Sequence, residues 1–140
     1  MNNTISFHYE TDFLLENTES FIRWIKNVIS EENKELGEVN YIFCDDKYLL
    51  EKNIKYLDHD TLTDIITFNY CEGDIISSDI MISIERVMEN SSIFENSFSE
   101  ELNRVMIHGI LHLIGYNDKT DGEKEIIRKK EDYYVNKFVI

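Results

Sequence analysis

Residues 108–118, His108-Gly109-Ile110-Leu111-His112-Leu113-Ile114-Gly115-Tyr116-Asn117-Asp118, decide how this chain is read. Upstream, Leu102, Val105, Met106 and Ile107 continue the apolar surface almost all the way round, which predicts a helix buried in a domain interior. His108 and His112 stand four residues apart, so their rings project from one side of that helix, one turn above the other. Gly115 can take the left-handed conformation that ends a helix and turns the chain back toward the rings. Asp118 then arrives within reach as a third ligand. Two neutral imidazoles and a carboxylate suit Zn²⁺ and leave a fourth position open, the pattern of a catalytic site. Either histidine alone reads more simply as a hydrogen-bonded core residue. Asp118, beside Asn117, Thr120, Asp121 and Gly122, also fits ordinary turn chemistry. The combined spacing is what points to a metal.

Working outward, 140 residues suit one domain spanning 1–140 with a proper core. Hydrophobic residues make up 42% of the chain, with eight Phe and eight Tyr, which excludes a disordered chain. No run has the length of a membrane span, and Met1-Asn2-Asn3-Thr4 lacks the features of a secretory signal. A cytoplasmic protein with no membrane partner is therefore expected. Cys44 and Cys71, the two cysteines, are read as reduced thiols; no C-x-x-C pair suggests a cysteine metal site.

The net charge is −14, which opposes non-specific attraction to nucleic acid. Its distribution is uneven. Residues 118–140 carry six bases and six acids, so all of the excess lies in residues 1–117, with eight bases against 22 acids. Such a surface first of all keeps a protein soluble. Contact with RNA would have to be local, or helped by the metal or by a partner.

Secondary structure follows from periodicity. Ile5–Tyr9 alternates as a first strand, in which His8 is a surface or strand-edge residue. A helix from about Thr18 or Ser20 carries Phe21, Trp24, Ile25, Val28 and Ile29 on one stripe, with Trp24 as a core residue. Gly37 breaks the pattern before a second strand, Val39–Cys44. Asp46 is the expected cap of a helix running through Leu49, Leu50, Ile54 and Leu57. Thr63–Tyr70 and Asp79–Ile84 read as the third and fourth strands. Residues 85–96 are helical at first and then irregular. Ser97 or Ser99 caps the metal-bearing helix, and Thr120-x-x-Glu123 forms a capping box for an amphipathic last helix through Ile126, Ile127, Tyr133, Tyr134 and Phe138. One α+β domain results.

His108-Gly109-x-Leu111-His112-Leu113-x-Gly115-Tyr116 resembles the signature of the YbeY family, bacterial metal-dependent endoribonucleases of ribosomal RNA maturation. Thr63-Asp64-Ile65-Ile66-Thr67-Phe68 and Ser78-Asp79-Ile80-x-Ile82-Ser83 are similar to two strands of that family, with Ser78 where it has glycine. Two departures stand out: Asp118 replaces the family's third histidine, and Leu57 occupies the place of an arginine thought to contact substrate. The spacing also resembles the metzincin proteases, but those carry a glutamate base directly after the first histidine, where this chain has Gly109.

The resemblance implies a small mixed β-sheet packed with helices, one of them a zinc-binding helix like that of the metzincins, and an endoribonuclease that holds one zinc ion per chain at His108, His112 and Asp118. It would act in processing the 16S rRNA 3′ end and in ribosome quality control, on ribosomal RNA precursors and with the ribosome or ribosomal proteins, and not on DNA. Thr63, Asp64 and His59 are the expected substrate-binding residues. Thr63 and Asp64 also fit strand-start capping, and His59 also fits a solvent-exposed loop. Asp79 is expected either to steady a metal-bound histidine from behind or to hold a loop. Two other readings stay open: a non-catalytic ribosome assembly factor stabilised by metal, and a metalloprotease-like hydrolase.

Overall fold

Four strands alternate with helices along the chain in the computed structural model, which describes residues 3–57 and 63–140. Strand β1 (Thr4–Tyr9) leads to helix α1 (Thr18–Glu31), β2 (Glu35–Cys44), α2 (Asp46–Leu57), β3 (Ile65–Asn69) and β4 (Ile75–Ser83). Helices α3 (Ile84–Ile93), α4 (Phe98–Ile114) and α5 (Asp121–Val135) follow. The sheet order is β1-β2-β4-β3, with β1, β2 and β4 parallel and β3 antiparallel to β4. This is the α+β class that the pattern predicts, with the mixed sheet that the resemblance implies. Among the described residues, no helix is long and apolar enough to cross a membrane.

Strand alternation assigns the two faces. Val39, Tyr41 and Phe43 of β2 and Ile76, Ile80 and Ile82 of β4 turn toward α1 and α4, where the α1 stripe, Trp24 included, completes the main core. Burying one such aliphatic or aromatic side chain contributes roughly 1.5–3 kcal/mol. The other face is thinner. There α2 covers a smaller cluster of Cys44, Leu49 and Ile66. Burial beside Asp45 and Asp46 pushes the Cys44 thiol up to about 12, and both cysteines are free.

Several boundaries differ from the periodicity reading for physical reasons. Strand β2 runs straight through Gly37, where a side-chain Cβ would lie 2.2 Å from Ser77 Oγ, and the register with β4 shifts between Leu36 and Val39. Gly37 marks a bulge with close strand approach, not a strand start. Asp45 caps α2 by accepting the Tyr48 N–H at 2.8 Å, while Asp46 binds the Ser83 hydroxyl and Arg86. Ser97 caps α4 in a capping box with Glu100, so the Ser99 alternative falls away. Ile84 leaves the strand because Ser83 caps α3 through the Arg86 N–H.

Candidate metal centre

Helix α4 is buried on nearly every side: Leu102, Val105, Met106, Ile107, Gly109, Ile110, Leu111 and Leu113 are all covered. It lies so close to the sheet at Gly109 that a Cβ there would meet Ile65 Cδ1 at 2.9 Å and Thr67 Cγ2 at 3.3 Å. That contact answers the protease comparison. A glutamate after His108 would have to displace the Ile65 side chain and press on Thr67.

His108 and His112 emerge at the one half-open edge of α4, their ring centroids 4.5 Å apart and nearly perpendicular. The helix ends at Gly115, whose positive φ of 129° few side chains tolerate, and the Tyr116 N–H returns to the Leu111 carbonyl at 3.0 Å. Thr120 then caps α5 with its own capping box. Asp118 is held between these two helix ends, and its Oδ2 lies 3.2 Å from His112 Nε2 and 3.5 Å from His108 Nε2. One donor atom from each of the three residues falls within 4.8 Å of the others, a group that could hold a metal ion.

The far nitrogen of His108 has a partner that the periodicity reading missed. Nδ1 lies 2.5 Å from Oε2 of Glu131, and the other oxygen of Glu131 accepts Arg104 at 3.1 Å. Arg104 also reaches Asp132 at 2.6 Å. A carboxylate on Nδ1 fixes the tautomer and leaves the Nε2 lone pair facing Asp118, the arrangement that supports metal-ligating histidines. The signal lies in α5, whose buried stripe is Ile127, Glu131 and Tyr134: an acid where the pattern calls for an apolar residue. Arg104 stands one turn before His108 on α4 and completes the bridge.

The electrostatics favour added positive charge. Burial works against protonation of His108, yet the Glu131 contact and the charges of Asp118 and Asp64 outweigh it and raise the ring above the ordinary imidazole value. An environment that draws a proton onto this ring also suits a divalent cation, and the hard and borderline donors present match zinc chemistry.

The remaining expected residues separate. Asp64 lines two clefts that open on the rings, and burial raises its carboxyl, opposed by His108. Thr63 lines the second of these clefts, with its hydroxyl directed at the Ile65 carbonyl at 3.4 Å. Asp79 is not beside the histidines. It alternates with the core-facing Ile80 and Ile82, so it points to the opposite face, where it accepts from Asn40 at 3.0 Å and from the Tyr70 hydroxyl at 3.4 Å. The carboxylate that contacts His108 from behind is Glu131, not Asp79. His59 lies outside the described residues.

A family model described as Endoribonuclease YbeY matches residues 5–139. A curated relative from Flavobacterium psychrophilum, named Endoribonuclease YbeY, is 59% identical over 128 residues, 91% of each chain. One of the same name from Flavobacterium johnsoniae is 54% identical over 134 residues, 96% of each. Among solved structures, the solution structure of TM1509 from Thermotoga maritima aligns with a TM-score of 0.69 and 27% identity, covering 96% of this chain and 89% of that one.

Proposed function

The chain belongs to the YbeY family of endoribonucleases, and from that premise we propose that it hydrolyses phosphodiester bonds of ribosomal RNA precursors with zinc held by His108, His112 and Asp118. The observation that carries this reading is the convergence of Nε2, Nε2 and Oδ2 on one point, with Glu131 behind His108. Zinc bound there supplies Lewis acidity, lowering the pKa of water toward neutrality and offsetting charge on a phosphoryl oxygen. Glu131 keeps the His108 ring turned with Nε2 forward, and Arg104 keeps Glu131 in place. Asp64, whose carboxyl burial raises, lines both clefts that open on the rings and meets the substrate there. Thr63 borders the same opening and contacts the substrate strand. The setting is the cytoplasm, on ribosomal particles, in 16S rRNA 3′ end processing and ribosome quality control.

The test is elemental analysis of wild type and His108→Ala beside cleavage of a ribosomal RNA precursor. About one zinc per wild-type chain, none in the variant, and parallel loss of cleavage are expected. Equal metal in both proteins removes the site. A second reading, a metal-stabilised assembly factor without catalysis, is favoured by the charge of −14 and by Leu57 in place of the family's arginine. It predicts that His112→Ala loses metal and thermal stability while RNA processing in cells survives.

A further inference from the structure

We propose that Lys124 and Arg128 hold the RNA strand by its phosphates; this inference rests on the endoribonuclease reading. The two residues sit four apart on α5, so their side chains share a face. Both line the cleft of about 610 Å³ that also contains His108, Asp118 and Asp64. The accounting of charge in this cleft singles them out. Arg104 is bound by Glu131 and Asp132 and has no free charge to offer. Five acids border the cleft: burial raises the Asp64 carboxyl, Glu125 is paired with Lys129 at 3.3 Å, and Glu101 accepts the Asn96 amide at 3.2 Å. Glu131 is bound to Arg104 and His108, and Asp118 faces the two rings.

Among the described residues, neither the Lys124 nor the Arg128 side chain has an ion-pair or hydrogen-bond partner, and both are exposed. Two unneutralised cations one helical turn apart, opening on the metal ligands, form a local attractive patch on a protein whose net charge of −14 repels RNA elsewhere. Consecutive phosphates of a single strand are the ligand this pair fits. Arg128 can take one phosphate through two N–H groups, and Lys124 acts as a point charge on the next. Because these contacts touch the backbone only, they bring the strand to the metal without choosing its sequence.

The experiment uses zinc-loaded full-length protein and a short fluorescein-labelled single-stranded RNA. Wild type, Lys124→Ala/Arg128→Ala and Lys26→Ala are compared for binding by anisotropy across a salt series and for cleavage. Lys26 is exposed on α1 and does not line the cleft, so it controls for a general loss of charge. The double variant is expected to bind roughly tenfold more weakly at low salt, with the slope of log affinity against log salt reduced by about 1.4, or 0.7 per lost phosphate contact. KM should rise by a similar factor while kcat, zinc content and thermal midpoint stay at wild-type values. Wild-type KM and salt slope in the double variant overturn the proposal, as does equal weakening by Lys26→Ala. If wild type itself neither binds nor cuts RNA, the endoribonuclease reading fails first and takes the proposal with it.

Discussion

Glu131 on α5 and Glu32 at the end of α1 are both buried carboxylates, with side chains only 8% and 10% exposed, yet their partners differ in kind. Glu131 bridges Arg104 and His108 at the metal ligands. Glu32, in the turn after α1, accepts the Tyr116 hydroxyl at 2.7 Å, the Tyr134 hydroxyl and Lys130 at 3.2 Å. One buried charge is shared between a guanidinium and an imidazole of the candidate metal centre. The other has its oxygens taken up by neutral hydroxyls and one amine, and so ties α1, α5 and the residue after Gly115 together. Burial alone does not separate a functional carboxylate from a structural one; the chemistry of its partner does.

The sharpest way to break this contrast is Glu131→Gln. Loss of the carboxylate behind a ligating histidine is expected to weaken zinc affinity about 10–100-fold, read by competition with a chromogenic chelator. Unchanged affinity would show that His108 needs no orienting partner. Glu32→Gln should do the opposite, lowering unfolding free energy by about 2 kcal/mol in urea, since it weakens charge-assisted hydrogen bonds, with zinc affinity kept close to wild type. A large loss of zinc affinity in that variant would mean that the Glu32 cluster also positions Asp118 through Tyr116.

Acid sharpens the comparison further. Burial tends to raise the Glu32 carboxyl, but the bonds from Tyr116, Tyr134 and Lys130 outweigh it and hold it below the ordinary glutamate value of 4.5. A group depressed by folding adds stability above its unfolded pKa and loses it as pH falls through the folded one. The stability gap between wild type and Glu32→Gln should therefore be full at pH 7 and close progressively below about pH 4.5. A gap that persists undiminished in acid would assign the effect to packing rather than charge. Tyr116→Phe, which removes one donor, should cost about 1 kcal/mol. Lys129→Ala breaks only the exposed pair with Glu125 and should change stability by no more than about 0.5 kcal/mol.

Much of the architecture was legible because apolar spacing is a direct record of burial. The α1 stripe and the surface of α4 are recovered residue by residue, and the spacing from His108 to Asp118 fits because Gly115 and Thr120 bracket a short turn. What escaped was of three kinds. Glu131 was hidden because its partner lies 23 residues away and only packing of α5 on α4 brings the two together. Asp79 invites the wrong side of the sheet from its motif, while strand parity, with Ile80 and Ile82 facing the core, sends it to the other face. Gly37 was read as a break because a bulge and a strand start share the same residue, and only the neighbouring Ser77 tells them apart.

The most direct test of the account is X-ray absorption at the zinc edge of the loaded, full-length protein. Two imidazole nitrogens at about 2.0–2.1 Å and light oxygen ligands, with no sulfur, are expected from His108, His112 and Asp118. A scatterer at about 2.3 Å, the distance of a cysteine sulfur, or a shell with fewer than two imidazoles, would place the ion elsewhere and contradict the account.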